Sequence, residues 1–251
     1  MIKRTLYFGN AAHLNTEKQQ LVVNYPKEKS IQKKVPIEDI GVIILDHYQI
    51  TISHTLIQRL LDNNTALITC DGHHLPQGML LNLDGNHRQQ AHFTTQINAS
   101  DTLKNKLWKQ TIQAKINNQA SLLEQNGLEV ANLRRWAEKV KPGDPDNYEA
   151  RAAANYWGRI FRDENGTFKR GRYEGEPNNL LNYGYTILRG ITARALVASG
   201  LLPTLGYHHR NKYNAYCLAD DAMEPYRPFV DEIVLEIVRG TKDYSELTKE
   251  I

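Results

Sequence analysis

Leu103-Lys104-Asn105-Lys106-Leu107-Trp108-Lys109-Gln110-Thr111-Ile112, continuing through Ile116 and Ala120 to Leu123, spaces its apolar side chains three or four positions apart. That is the period of a helix burying one face. Gly127 marks its end, and further helices are expected at Leu128–Val140, Tyr148–Arg162, Asn179–Ser199 and from about Asp220 to Val238. Pro142-Gly143-Asp144-Pro145 breaks the second of these from the third, and Asp146 or Asn147 is placed to cap the third. Upstream of Asp84-Gly85-Asn86 the period is two. Lys3–Phe8, Gln20–Tyr25, Ile31–Val35, Val42–Leu45, Ala66–Cys70 and Pro76–Leu81 are short β-branched or aromatic runs separated by turn signals such as Gly9-Asn10 and Asp71-Gly72. One helix interrupts them, with Ser53 as cap, Leu56, Ile57, Leu60 and Leu61 as its stripe, and Asn63-Asn64 as its end. The fold class expected is α+β: a small β-sandwich domain over 1–83, mainly antiparallel because the connections are short, then an all-α domain over 84–251.

The 251 residues, 41% apolar and 24% charged, have ordinary globular composition, which excludes collagen-like, mucin-like and wholly disordered chains. No run reaches the roughly 18 apolar residues of a membrane span, and the basic start Met1-Ile2-Lys3-Arg4 is followed by no apolar stretch of a signal peptide. Cys70 and Cys217 form no Cys-x-x-Cys pattern, so neither a disulfide framework nor a structural zinc site is expected, and a reducing cytoplasm fits. The net charge of +3 is concentrated in one segment. Between Arg151 and Tyr173 stand Arg151, Arg159, Arg162, Lys169, Arg170 and Arg172 against only Asp163 and Glu164, interleaved with Tyr156, Trp157, Phe161 and Phe168. A phosphate-tracking surface with stacking platforms has this composition, as does a solvated helix face. If it tracks phosphates, neutralising Arg170 and Arg172 together should flatten the salt dependence of DNA binding.

Three segments of the helical half carry unusual residues. In Asn147-Tyr148-Glu149-Ala150-Arg151-Ala152-Ala153-Ala154, Glu149 lies in the first turn of a helix whose next turn is lined with alanines, a surface that admits close approach. Alone it is an ordinary dipole-favoured surface residue. Gly206-Tyr207-His208-His209-Arg210-Asn211-Lys212-Tyr213-Asn214 sets two histidines beside Arg and Asn in a loop, which suits a metal site, a phosphate site or plain surface exposure. If helical, Leu218-Ala219-Asp220-Asp221-Ala222-Met223-Glu224-Pro225-Tyr226-Arg227-Pro228 converges Asp220, Asp221 and Glu224 on one face, a costly arrangement unless a cation compensates it; the same residues also suit an acidic first turn before Phe229–Val238. Glu, His and Asp together are the oxygen and nitrogen donors that Mg2+ or Mn2+ accepts at phosphoryl-transfer sites, and the lack of cysteine argues against zinc.

In order and spacing these three segments, with Leu180-Leu181-Asn182-Tyr183-Gly184-Tyr185-Thr186 and the sandwich-then-helices arrangement, resemble the catalytic subunit of the CRISPR adaptation (spacer-acquisition) integrase in its type II branch. The likeness runs over nearly the whole chain. It implies a metal-dependent DNA endonuclease and integrase, in which Glu149, one histidine of the pair and Glu224 hold Mg2+ or Mn2+. Counting from Glu224 and from Gly206 both select His209, with His208 as its neighbour. Asp220 and Asp221 are implied as auxiliary acids. The three ligand heads are then expected within reach of one ion, roughly 2.0 to 2.4 Å from it. Arg151, Arg159, Arg162, Lys169, Arg170, Arg172 and Arg210 are the expected backbone contacts. Implied partners are double-stranded DNA, as captured fragment and CRISPR repeat, a second copy joined through the sandwich domain, and the small second adaptation subunit that bridges two such dimers. Members of the family continue with further helical sequence beyond the position of Ile251, so a short or truncated helical lobe is expected. Two rival readings are a non-catalytic nucleic-acid-binding scaffold and a metal-dependent phosphomonoesterase.

Overall fold

In the computed structural model the described residues are 3–26, 32–161, 168–171 and 175–240. The first part of the chain forms β1 (Arg4–Phe8), β2 (Ala12–Glu17), β3 (Gln20–Asn24), β4 (Gln32–Pro36), β5 (Ile40–Leu45), β6 (Ile50–Ile52), α1 (His54–Asp62), β7 (Ala66–Cys70) and β8 (Pro76–Leu80). Two four-stranded sheets result, ordered β1-β5-β7-β8 and β4-β3-β2-β6. Phe8, Leu14, Leu21, Ile40, Ile43 and Leu67 from both sheets share one core with Leu56 and Leu60 of α1. Ser53 caps α1 as expected, its Oγ accepting from the Leu56 amide at 3.3 Å.

The strand pairing corrects the sequence expectation. Three of the six pairings are parallel, β1 with β5, β5 with β7 and β2 with β6. The unbroken run Ile40-Gly41-Val42-Ile43-Ile44 is buried throughout, with no polar alternation, as a strand covered on both faces must be. Two short strands, β2 and β6, were not expected because Ala12–Glu17 mixes small and polar residues and Ile50–Ile52 spans only three positions.

The helices that follow are α2 (Gln89–Ile97), α3 (Asp101–Gln125), α4 (Ala131–Lys139), α5 (Tyr148–Ile160), α6 (Asn178–Ala198), α7 (Cys217–Met223) and α8 (Arg227–Gly240), with a 3-10 turn, Glu224–Tyr226, between the last two. Helix α2 has no buried residue, so no apolar stripe announces it in the sequence. The single helix expected from about Asp220 to Val238 is α7, the 3-10 turn and α8, interrupted at Pro225. Two compact units result, Met1–His92 with Gly190–Leu201, and Phe93–Arg189 with Leu202–Ile251. The first therefore extends past the change of period at residue 83. It also takes in the end of α6, where Gly190 lies so close to Ile68 that a Cβ there would stand 2.7 Å from Ile68 Cδ1. In the second unit Ile112, Ile116, Ala120 and Leu123 of α3 are fully buried against Leu133, Tyr156, Leu181 and Met223. Helix α3 is the axis on which the candidate site is built.

Candidate metal and DNA site

Lys115 interrupts the buried stripe of α3 between Ile112 and Ile116. Its ammonium lies 2.6 Å from Glu149 Oε1 on α5 and 2.6 Å from Glu224 Oε2 at the start of the 3-10 turn. The two carboxylates, 75 positions apart in sequence, are thus no farther apart than those two contacts permit. Glu224 and Lys115 are buried, with side chains 6% and 10% exposed, while Glu149 is 32% exposed. Arg227 Nε donates to the other oxygen of Glu224 at 2.8 Å. Burial opposes the charge on Glu224, but Lys115 and Arg227 outweigh it and hold the carboxyl below its ordinary range. Apart from the Lys115 ammonium, the buried Glu224 Oε2 has no polar partner among the described residues.

Glu149 is aimed by an unexpected cap. Neither Asp146 nor Asn147 caps α5. Asn147 adopts left-handed backbone, φ 53°, with no side-chain bond to the helix. Asp144 does so instead, its two oxygens accepting from the Tyr148 and Glu149 amides at 2.9 Å each.

The two histidines part company. The His208 ring lies flat on Trp108, with centroids 3.6 Å apart and planes 1° apart. His209 turns to Asp221, whose Oδ1 accepts from His209 Nδ1 at 2.6 Å. The same fully buried carboxylate also accepts from the His208 and His209 amides, at 2.8 and 3.1 Å. With Nδ1–H donating to Asp221, a neutral His209 keeps its lone pair on Nε2, the arrangement in which carboxylates orient metal-ligating histidines. The Asp221 hydrogen bond raises the His209 pKa above its ordinary value against the effect of burial, whereas burial and then His209 lower that of His208. Gly206 makes this loop possible: a Cβ there would stand 2.6 Å from the His209 carbonyl oxygen and 2.8 Å from Asp221 Oδ2. Asp220 faces elsewhere, gripped by Arg189 at 2.7 and 3.1 Å and by Asn214 Nδ2 at 2.6 Å.

Glu149 and Glu224 therefore meet at one point, while His209, charge-coupled to Glu224, is held by Asp221. Among the described residues no three His, Cys, Asp or Glu side chains stand close enough together to grip one metal ion. The donor set still suits a hard divalent cation: two carboxylates already sharing one cation, Lys115, and an imidazole fixed by a further carboxylate.

Asp231 on α8 is fully buried and accepts from the hydroxyls of Tyr156, at 2.8 Å, and Tyr185. Burial pushes its carboxyl up to about 6, the tyrosine hydroxyls offsetting this only in part. A carboxyl with a raised folded-state pKa binds its proton more tightly when folded. Its stabilising contribution is therefore full below the unfolded value near 4 and is lost as pH rises through about 6. Relative to Asp231→Asn, the wild-type unfolding free energy is expected to fall by about 2 kcal/mol between pH 4 and pH 7, measured by denaturant unfolding at each pH. A pH-independent difference would contradict the assignment.

The basic residues are not equivalent. Arg170 is turned into the protein, donating to Asn178 Oδ1 and Asn182 Oδ1 at 2.8 Å each and lying over the rings of Trp157 and Tyr185. Arg151 is exposed and lies over Trp136 and Tyr148. Arg159 donates to Asn155 at 3.1 Å. The Lys169 carbonyl anchors Asn178 and its side chain is exposed. Arg210, exposed, reaches Asp101 at 3.2 Å. Arg162 and Arg172 lie outside the described residues. The sequence pattern gives Lys115, Trp108 and Asp144 no functional role, although Lys115 stands out as a charge on the apolar stripe of α3.

Residues 6–246 match the family described as CRISPR associated protein Cas1. The chain belongs to the Cas1 family. It is 36% identical over 250 residues to the CRISPR-associated endonuclease Cas1 of Neisseria meningitidis serogroup C, covering 99% of this chain and 80% of that protein. A second such endonuclease, from Francisella tularensis subsp. novicida, is 27% identical over 244 residues, covering 90% and 76%. In fold the chain is similar to a casposase bound to its integration product, with a TM-score of 0.76, 20% identity and coverage of 96% and 73%. It is also similar to a Cas1 protein of Thermotoga maritima, with a TM-score of 0.75, 17% identity and coverage of 96% and 80%. Family and fold both agree with the sequence expectation of an α+β enzyme of CRISPR adaptation. No described helix of this Cas1-family chain is long and apolar enough to cross a membrane.

Proposed function

We propose that this chain is the metal-dependent DNA endonuclease and integrase of a type II CRISPR adaptation system, acting in the cytoplasm. The observation that carries the reading is the meeting of Glu149 and Glu224, from distant segments, at one buried point beside a carboxylate-oriented His209. Glu149, His209 and Glu224 would hold Mg2+ or Mn2+, which when bound polarises the phosphodiester and offsets charge on the attacking and leaving oxygens. Arg227 fixes Glu224, and Asp144 fixes the backbone of Glu149. Asp221 keeps the His209 proton on Nδ1, and Arg189 draws Asp220 away from the centre. In integration the 3′-hydroxyl of a captured fragment loses its proton and forms a bond to phosphorus, while the bond to the repeat strand's 3′-oxygen breaks and that oxygen takes up a proton. With water as nucleophile the same exchange cuts DNA.

The β-rich unit, Met1–His92 with Gly190–Leu201, is assigned to dimerisation and the helical unit, Phe93–Arg189 with Leu202–Ile251, to catalysis and DNA binding, with the small second adaptation subunit bridging two dimers. A Cas6-RT-Cas1–Cas2 complex among the structural neighbours supports an assembly of this kind, at a TM-score of 0.71 and 23% identity, covering 96% of this chain and 28% of that one. Arg151, Arg159, Lys169 and Arg210, with Arg162 and Arg172, are the backbone contacts, whereas Arg170 acts through stability. Arg210→Gln is expected to reduce the salt slope of DNA binding by about one. Arg170→Gln is expected to lower stability by about 2 kcal/mol with the slope unchanged. A reduced slope in Arg170→Gln would return that residue to the DNA surface.

The deciding experiment supplies a 3′-hydroxyl duplex, a repeat-bearing plasmid and Mg2+ or Mn2+, and looks for joined product and for cleavage of branched DNA. Both should vanish with chelator. DNA binding without either product would favour a scaffold, and hydrolysis of a small phosphoester but not of DNA a phosphomonoesterase.

A further inference from the structure

The geometry points to Lys115 as a resident counter-ion that a divalent cation must displace, so that this lysine sets how weakly the site holds its metal; this rests on the metal-site reading above. Two carboxylates brought this close in a buried place repel each other strongly unless a cation lies between them. Lys115 is that cation, within 2.6 Å of both. An ion bound to the same two oxygens would be drawn to the space its ammonium fills. Electrostatics leads to the same conclusion. Lys115 and Arg227 together cancel the charge of Glu149 and Glu224, so an arriving dication meets a pair with no net charge until the lysine withdraws. Arg227 is not the group displaced, because it holds the oxygen of Glu224 that faces away from Lys115. Glu224 Oε2, a buried oxygen whose contact is the Lys115 ammonium at 2.6 Å, is the oxygen that a cation taking the place of that ammonium would meet.

The test is calorimetric titration of the full-length chain with Mn2+ alone at one neutral pH, with unfolding midpoints recorded with and without the metal. Lys115→Met and Lys115→Gln are expected to bind Mn2+ at least about tenfold more tightly than wild type. Their midpoints should be lower without metal and rise further with it. Lys115→Arg, which keeps the charge, should stay within about threefold of wild type, and His209→Ala added to either neutral variant should abolish the gain. Lys115→Gln preserves a polar head should methionine prevent folding. Unchanged or weaker Mn2+ binding in both neutral variants, with wild type still binding, overturns the proposal and leaves the metal site standing. If neither wild type nor any Lys115 variant binds Mn2+, the metal-site reading fails together with it.

Discussion

His209→Ala is expected to lower DNA cleavage and strand joining by at least about a hundredfold while DNA affinity stays within about twofold. The loss follows from geometry: Asp221 occupies Nδ1, so Nε2 is the nitrogen left to act, and alanine removes it. Binding survives because it rests on basic side chains elsewhere. His208→Ala should be far milder, since that ring is stacked on Trp108. In the wild type, activity should fall as pH drops through the raised His209 pKa, because the protonated ring has no lone pair on Nε2. Added metal should compete with the proton and move that midpoint lower. A dead His208→Ala beside a tolerant His209→Ala would make His208 the ligand instead. Full activity in both would remove the histidine from the site.

Asp221→Ala should nearly match that loss without touching an assigned ligand. One buried carboxylate accepts from two consecutive amides and from the His209 ring, and alanine leaves all three donors without their partner. Charge-assisted hydrogen bonds of this kind are each worth about 1.5 to 3 kcal/mol. A fall in unfolding free energy of about 3 kcal/mol is expected, with activity down roughly 10- to 100-fold as for other residues that orient a ligand. Asp221→Asn keeps the shape but offers an amide, so its defect should be smaller in stability than in activity. Denaturant unfolding together with the cleavage assay measures both. Activity within threefold of wild type in Asp221→Ala would mean that the loop holds His209 without it.

The sequence by itself determined the two-part α+β architecture, because hydrophobic period is a local property: period two before Asp84 and 3.6 after it leave little choice of element. It also singled out Glu149, the histidine pair and the acidic segment, since chemistry-bearing residue types clustered in short motifs are visible without coordinates. Only the tertiary structure decided which strands lie parallel, because pairing depends on which faces are covered rather than on loop length. It likewise decided that Asp144 rather than Asp146 or Asn147 caps α5, since the left-handed turn at Asn147 carries that side chain away. The divergence of Asp220 and Asp221, adjacent in sequence, is tertiary too: one turns to Arg189 and the other to His209, each drawn to the donor its side of α7 meets. Lys115 shows the division most sharply. A lysine on an apolar stripe marks an anomaly in the sequence, but only packing α3 against α5 and the Glu224 turn supplies the two carboxylates that make its burial tolerable.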